Sequence, residues 1–415
     1  MENRRFAAHA AREDDEDIIA RFDRLYERRP DPRGPFLRDY NRLIHTQAYR
    51  RLRHKTQVFF ATRHDHICTR LEHVNHVAAI SYNIAKVLGL NGELVQAIAV
   101  GHDLGHAPFG HEGERILSEI AKKPDEIGEV FWHERNSLRF VDYIELLPDP
   151  ENCKRNLNLT YAVRDGIVCH CGEVDEDYLR PRSKKERIDL WEIRHDKRPA
   201  PYTWEGCVVK IADKIAYLGR DIEDARTLGI LNERNIQELE TIISRILGEK
   251  KRVSNTALIH NFVMDLAENS TPEDGLRFSS RYLELIKVIK KYNEDNIYTS
   301  DRLECFKKYA RLILESIYSK LKTVCQAEIK HIPAALAELR KSSPLLEYHF
   351  SNWLSDYGEP SICPRSDGMK NRPVYDLNDR TERHRAALEF ISGMTDAFAI
   401  RIFNELISFD REMED

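Results

Sequence analysis

Imidazoles and carboxylates crowd into one short stretch of this chain, running from His102 through Asp103, His106, His111 and Glu112 to Glu114. Three histidines, one aspartate and two glutamates within thirteen residues are the side chains that hold a divalent cation or pass a proton. Ten of the seventeen histidines lie between His45 and His133. The stretch follows Leu94–Val100, an almost unbroken apolar segment that reads as a buried helix. Gly101, Gly105 and Pro108 interrupt regular structure where the polar groups gather. A His-Asp pair at the end of a buried helix is taken out of water, and a desolvated charge demands a partner. A single buried histidine reads as a core residue bonded to backbone. This density reads as a site.

Two further segments must position partners for it. Thr69-Arg70-Leu71-Glu72-His73 opens a helix running to about Leu88, on which Val77, Ile80, Ile84 and Val87 share the face of His73. His73 therefore points inward, with His76 at the edge of the stripe. In the segment 208–224, Asp213, Tyr217, Arg220, Asp221 and Asp224 share one helical face, opposite Val208, Ile211, Ile215, Leu218 and Ile222. Alone, such a charged stripe reads as a solvated surface. Its reading as part of a site depends on the first two segments.

His73, His102-Asp103 and Asp213 together spell H…HD…D, and the chain resembles the HD-domain deoxyguanosinetriphosphate triphosphohydrolase (dGTPase) family. The resemblance extends to Arg51–Val58, Thr69–His73, His102–Glu114, Asp213–Asp221 and the tail Phe390–Ala399, covering roughly residues 35–225 and the last thirty. It implies an all-α fold, an HD-domain helical core with additional C-terminal helices. It implies His73, His102, Asp103 and Asp213 as ligands of a divalent metal ion: Mn²⁺, Mg²⁺, Fe²⁺, Co²⁺ or Zn²⁺. Two neutral imidazoles and two carboxylates carry a charge of −2, so cation and ligands together are neutral. Such an ion lowers the pKa of water and polarises a phosphate oxygen.

The implied reaction is hydrolysis of a deoxynucleoside triphosphate (dNTP) at its α-phosphorus, giving deoxynucleoside and inorganic triphosphate. The resemblance makes His111 and Glu114 the catalytic pair; three residues apart, they share a face if a helix begins after Gly110. His106 and His133 are the secondary candidates, with packing beside Trp132 the plainer reading of His133. Arg70 and Lys214 are implied as triphosphate contacts, Tyr217 and Asp221 as the sugar clamp, and Gln57 and Val58 as neighbours of sugar and base. The partners expected are the dNTP substrate and a second copy of the chain in a homo-oligomer, with a dNTP effector or single-stranded nucleic acid as further candidates. An HD phosphomonoesterase or phosphodiesterase would need the same ligands without Lys214, Tyr217 and Asp221. A non-catalytic nucleotide sensor or single-strand binder would use the basic runs instead.

Composition sets the bounds. The 415 residues are 41% hydrophobic and 32% charged, with a net charge of −5, ample for a large core and without a global basic field for nucleic acid or membrane. The runs Arg50–Arg53 and Lys184–Arg187 read as solvated faces. No apolar run reaches the roughly 18 residues of a membrane helix, and the N-terminus lacks a signal-peptide core. Eight scattered cysteines suit a reducing cytoplasm. Cys169-His170-Cys171 has no second pair at finger spacing and reads as no zinc knuckle.

The pattern divides the chain into a charged lead-in (1–34), a catalytic core (35–225, with a surface excursion at 172–206) and a helical C-terminal region (226–415) packing on the core and into oligomer contacts. Helical spacing predicts helices over 35 to about 50, Ile236–Leu247, Tyr282–Lys291, Leu303–Leu321, Ile332–Leu339 and Ala386–Leu406. No strand alternation is expected, and neither GxxxxGK(S/T) nor GxGxxG occurs.

Overall fold

A computed structural model describes residues 4–26, 30–60, 66–170, 178–183, 187–248, 254–359, 365 and 368–408. Among them the fold is all-α, with seventeen α-helices and one small antiparallel ribbon. The ribbon, β1 (Leu146–Pro148) with β2 (Lys154–Asn156), was not expected; three-residue strands are too short to show alternation. No described helix is long and apolar enough to cross a membrane.

The chain packs as two compact units, 1–45 with 57–103 and 158–305, and 46–56 with 104–157 and 306–415. These cut across the contiguous divisions 1–34, 35–225 and 226–415, because helix packing follows apolar faces and not chain order.

The first unit is built on α2 (Pro35–Ile44), α4 (Arg70–Leu88), α5 (Gly92–Gly101), α8 (Tyr161–Cys169) and α9 (Trp204–Thr227). Helix α4 packs on α5 and α9, and α5 also packs on α2 and α8. Local chemistry sets the ends of α4. Thr69 and Glu72 form a reciprocal capping box, and Gly89 closes the helix at φ 83°. Leu43, Val74, Val77, Leu94, Val95, Ile98, Ile167, Val208 and Leu218 are wholly buried between these helices.

Helices α5 and α8 cross tightly: a Cβ on Gly101 would lie 2.5 Å from Ile167 Cδ1, and one on Gly166 2.6 Å from Ile98 Cδ1. The buried Asp39 carboxylate ties the start of α8 to α2 by accepting from Thr160 N at 2.8 Å and from Arg21 Nη1 at 2.6 Å. The described part of the expected surface excursion is anchored. Arg182 pairs with Asp165 inside α8, Leu179 bridges to Leu276, and Leu190 and Ile193 are buried. The basic run Lys184–Glu186 lies outside the described residues.

The second unit holds α3 (Gln47–Arg51), α6 (Gly110–Ala121), α7 (His133–Arg139), α14 (Ile332–Ser342), α15 (Pro344–Tyr357), α16 (Arg380–Ser392) and α17 (Asp396–Ile407). The single helix expected over 35–50 is therefore two. The chain breaks at His45-Thr46, where Thr46 Oγ1 accepts from Tyr49 N at 3.1 Å and the Glu145 carboxylate accepts from Gln47 N and Ala48 N at 2.8 and 2.9 Å. A carboxylate from distant sequence thus starts α3. Ala386–Leu406 likewise splits at Gly393–Thr395, with Thr395 Oγ1 capping Phe398 N at 3.1 Å. Helices not expected from spacing include α8 and α11 (Asn255–Asn269), in the first unit, and α15.

Candidate functional site

The H…HD…D residues converge in the first unit. His73 comes from the first turn of α4, His102 and Asp103 follow the end of α5, and Asp213 lies in the middle of α9. His73 Nε2 is 2.9 Å from Asp213 Oδ1 and 4.0 Å from Asp103 Oδ2. His102 Nε2 is 3.4 Å from Asp103 Oδ1 and 3.7 Å from Asp213 Oδ1. Ligand atoms about 2.1 Å from one ion stand about 3 to 4.2 Å apart, so the donor set fits a divalent cation.

The His102 tautomer supports the same reading. Its Nδ1 lies 2.6 Å from Ala99 O, and a carbonyl can only accept, so Nδ1 carries hydrogen and the neutral ring turns its Nε2 lone pair toward two carboxylates. Lone pair against carboxylate is repulsive until a cation sits among them. Burial by itself would raise the Asp213 carboxyl, but the hydrogen bond from His73 holds it far below the usual carboxylate range.

Arg70, expected on the triphosphate, has a different partner here. Its guanidinium is 1% exposed, donates to Asp103 Oδ2 at 2.6 Å, and reaches the Gln57 carbonyl at 3.3 Å. It orients the Asp103 carboxylate. Gln57 is itself buried, and its Oε1 makes no hydrogen bond; a buried amide oxygen of this kind suits a donor brought by a ligand. Val58, Lys214 and Tyr217 are half-buried.

The charged stripe on α9 is not a solvated face. Asp221 is 2% exposed and accepts from the Tyr298 hydroxyl at 2.5 Å, while Asp224 accepts from Cys68 N at 3.0 Å. Burial raises the Asp221 carboxyl to about 7, against the opposing Tyr298 hydrogen bond. Tyr298 was not among the residues that spacing or motif singled out. It lies 77 residues from Asp221 in a stretch with no motif.

The second unit holds the other cluster. Helix α6 begins at Gly110, so His111 and Glu114 share a face as expected, with His111 Nδ1 3.4 Å from Glu114 Oε2. His133, the first residue of α7, donates from its backbone N–H to Glu114 Oε1 at 2.8 Å and from Nδ1 to both carboxylate oxygens at 3.0 Å. His106 stacks on His133 with ring centroids 3.9 Å apart. His133 is thus bonded to Glu114 as well as buried.

Burial alone would raise the Glu114 carboxyl, but His133 and His111 hold it well below its ordinary value. The side chain of His111 is 66% exposed while that of Glu114 is 17% exposed, leaving His111 the member offered outward. The four ligand atoms also lie within 4.8 Å of one another, close enough for a cation.

The approach to α6 is held by groups distant in sequence. Phe109, at φ 67°, sits in the left-handed region that a bulky residue adopts only when surroundings enforce it. Its N–H donates to Asp396 Oδ1 at 2.8 Å, and Asp396 Oδ2 accepts from Thr56 N at 2.9 Å and Thr56 Oγ1 at 2.5 Å. Lys55, 3% exposed, donates to the carbonyls of His106 and Ser392. Gly105 passes so close to the backbone of Asn136 and Ser137 that a Cβ would overlap it. Through Asp396, the Phe390–Ala399 motif therefore shapes the His106–Glu114 loop.

Known proteins complete the picture. Residues 70–218 match the HD domain family. A deoxyguanosinetriphosphate triphosphohydrolase-like protein of Caldanaerobacter subterraneus subsp. tengcongensis is 30% identical over 380 residues, covering 92% of this chain and 87% of that protein. The chain belongs to this HD-domain family. A Rickettsia bellii protein of the same name is 29% identical over 93% of this chain and 95% of its own length. One from Desulfatibacillum aliphaticivorans is 35% identical over 64% of this chain and 67% of its own. This is a family of hydrolases, and HD domains depend on a metal ion, for which His73, His102 and Asp103 form one of the candidate clusters.

Proposed function

We propose that this chain hydrolyses deoxynucleoside triphosphates to deoxynucleoside and inorganic triphosphate. The observation that carries the reading is the convergence of His73, His102, Asp103 and Asp213 on a cation-sized space; in the chain only Leu104 and Gly105 separate Asp103 from His106, where the cluster of imidazoles around Glu114 begins. The family name of the relatives points the same way. A divalent cation on His73, His102, Asp103 and Asp213 would supply charge at the phosphate and activate water; Mn²⁺ and Mg²⁺ are the ions to try first.

The chain's own groups do the rest. Water oxygen ends on the α-phosphorus, the bond to the 5′-oxygen breaks, that oxygen leaves with the proton of His111, and the proton released by water returns His111 to its starting state. Glu114 stabilises the protonated ring before transfer, and His133 holds Glu114 in place. Lys214, with Arg70 behind Asp103, offsets the triphosphate charge. Tyr217 beside C2′ leaves no room for a ribose hydroxyl, and Asp221 receives the 3′-hydroxyl. The six described cysteines without disulfides suit the reducing cytoplasm where dNTPs are found.

The test is incubation with each dNTP in Mn²⁺ or Mg²⁺, scoring products, with and without a second dNTP or single-stranded DNA as effector. Deoxynucleoside with intact triphosphate is expected. Monophosphate with pyrophosphate, or turnover of phosphomonoesters alone, would replace this reading with an HD phosphodiesterase or phosphatase.

A further inference from the structure

His170 has no part in the H…HD…D set, and its sequence neighbours Cys169 and Cys171 suggest zinc-knuckle chemistry if anything. Cys171 lies outside the described residues, and Cys169 is buried with its thiol against Asp165 at 3.7 Å. The structure gives His170 a different setting. The glycine-mediated crossing of α5 and α8, Gly101 against Ile167 and Gly166 against Ile98, brings the C-terminal ends of these helices together. Each helix ends on a histidine, His102 at φ −61°, ψ −38° and His170 at φ −66°, ψ −31°.

Each ring is then fixed by the same device. His102 Nδ1 lies 2.6 Å from Ala99 O and His170 Nδ1 lies 2.6 Å from Ile167 O, both carbonyls three residues back in their own helix. A carbonyl oxygen accepts only, so in both neutral rings Nδ1 carries hydrogen and Nε2 presents its lone pair. The rings meet edge to face at 4.9 Å and 85°, at 0% and 2% exposure. Ligand atoms of His102, His170 and Asp213 all lie within 4.8 Å of one another, close to the about 4.2 Å that separates opposite ligands on one ion. The fold has prepared His170 as it prepared His102.

We propose that His170 is a fifth protein ligand of the cation centre, a third imidazole beside His73 and His102. This rests on the reading of His73, His102, Asp103 and Asp213 as cation ligands and extends it. Three nitrogen donors and two carboxylates favour Mn²⁺, Fe²⁺, Co²⁺ or Zn²⁺ over Mg²⁺, which prefers oxygen and water. The resident ion is therefore a tightly held transition metal that Mg²⁺ does not displace.

Pulsed electron paramagnetic resonance of the Mn²⁺-loaded full chain counts the coupled imidazole nitrogens directly. Three are expected in the wild type and two in His170→Ala, with the Mn²⁺ dissociation constant raised about tenfold or more and Mg²⁺ now able to compete. His170→Asn, whose amide can still donate to the Ile167 carbonyl, keeps the helix end intact and is expected to give the same count of two. Two nitrogens in the wild type with Mn²⁺ affinity unchanged in both variants overturns the proposal and leaves His170 as a buried partner of Asp213. A wild type that binds no Mn²⁺ overturns the four-ligand reading along with it.

Discussion

Two clusters of the same residue types are arranged in opposite ways in this molecule. In the first unit, the backbone takes the proton-bearing nitrogen of His102, and the lone pair faces carboxylates. In the second, His133 turns both its ring Nδ1 and its backbone N–H onto one carboxylate, Glu114. Where backbone takes up the ring N–H, the remaining lone pairs call for a cation. Where one carboxylate takes up both the ring N–H and the backbone N–H of a histidine, as Glu114 does for His133, the pair can hold a proton.

Two acids sharpen the contrast. Asp221 has no imidazole bonded to it, and burial lifts it to about 7. Glu114, half-buried, sits among imidazoles and falls well below its ordinary value. Composition does not separate these cases; the choice of ring nitrogen and the nearest charge do.

The largest effect that tests the comparison is Asp103→Ala or His73→Ala. Bound metal and turnover are expected to disappear together, the second to background, while far-ultraviolet circular dichroism stays helical. Full metal occupancy by elemental analysis in both variants would break the assignment of the first cluster. His111→Ala is the counterpart: metal stays, and kcat falls about 10²-fold or more. Glu114→Ala should fall similarly, and the double variant less than the product of the two. Metal lost from His111→Ala or His133→Ala would mean that the second cluster also holds a cation, and the contrast would collapse.

Asp396→Ala comes next. It leaves the Phe109 N–H and the Thr56 groups without their acceptor, so a loss of about 1–3 kcal/mol is expected in chemical denaturation. The loop carrying His111 should loosen with it, lowering kcat about tenfold at unchanged metal content. Unchanged kcat would confine Asp396 to stability alone.

The smallest expected effect is in pH dependence. The folded Asp221 carboxyl titrates at about 7, while in the unfolded chain it titrates near 4. Between those values the folded state keeps a proton that the unfolded state has released. Stability therefore falls as pH rises through this window, by about 1 kcal/mol per pH unit at most from this group, and levels off above it. Asp221→Asn removes that slope. Urea denaturation of both proteins at pH 4.5, 6 and 7.5 checks it; parallel profiles would mean that Asp221 is charged throughout and resembles Glu114 after all.

Much of this site was legible in the sequence because its parts are local. The face of His73 follows from Val77, Ile80 and Ile84 at helical spacing. The His111–Glu114 pair follows from a spacing of three and a start at Gly110, where α6 does begin. The break at Thr46 was not legible, since Thr46 lies within a run of helical spacing and the carboxylate that starts α3 is Glu145, 98 residues from Gln47.

The sequence by itself determined which residue types are present and which of them share a helical face, because periodicity and capping act over a few residues. Helix starts such as Thr69 and the all-α class follow from that. Tertiary structure alone decided which nitrogen of each histidine is offered. It also put Arg70 behind Asp103, Tyr298 on Asp221, Asp396 under Phe109 and the ring of His170 against that of His102. Each of these depends on a contact between segments tens to hundreds of residues apart, and burial fixes the protonation of a group only once the fold has chosen its neighbours.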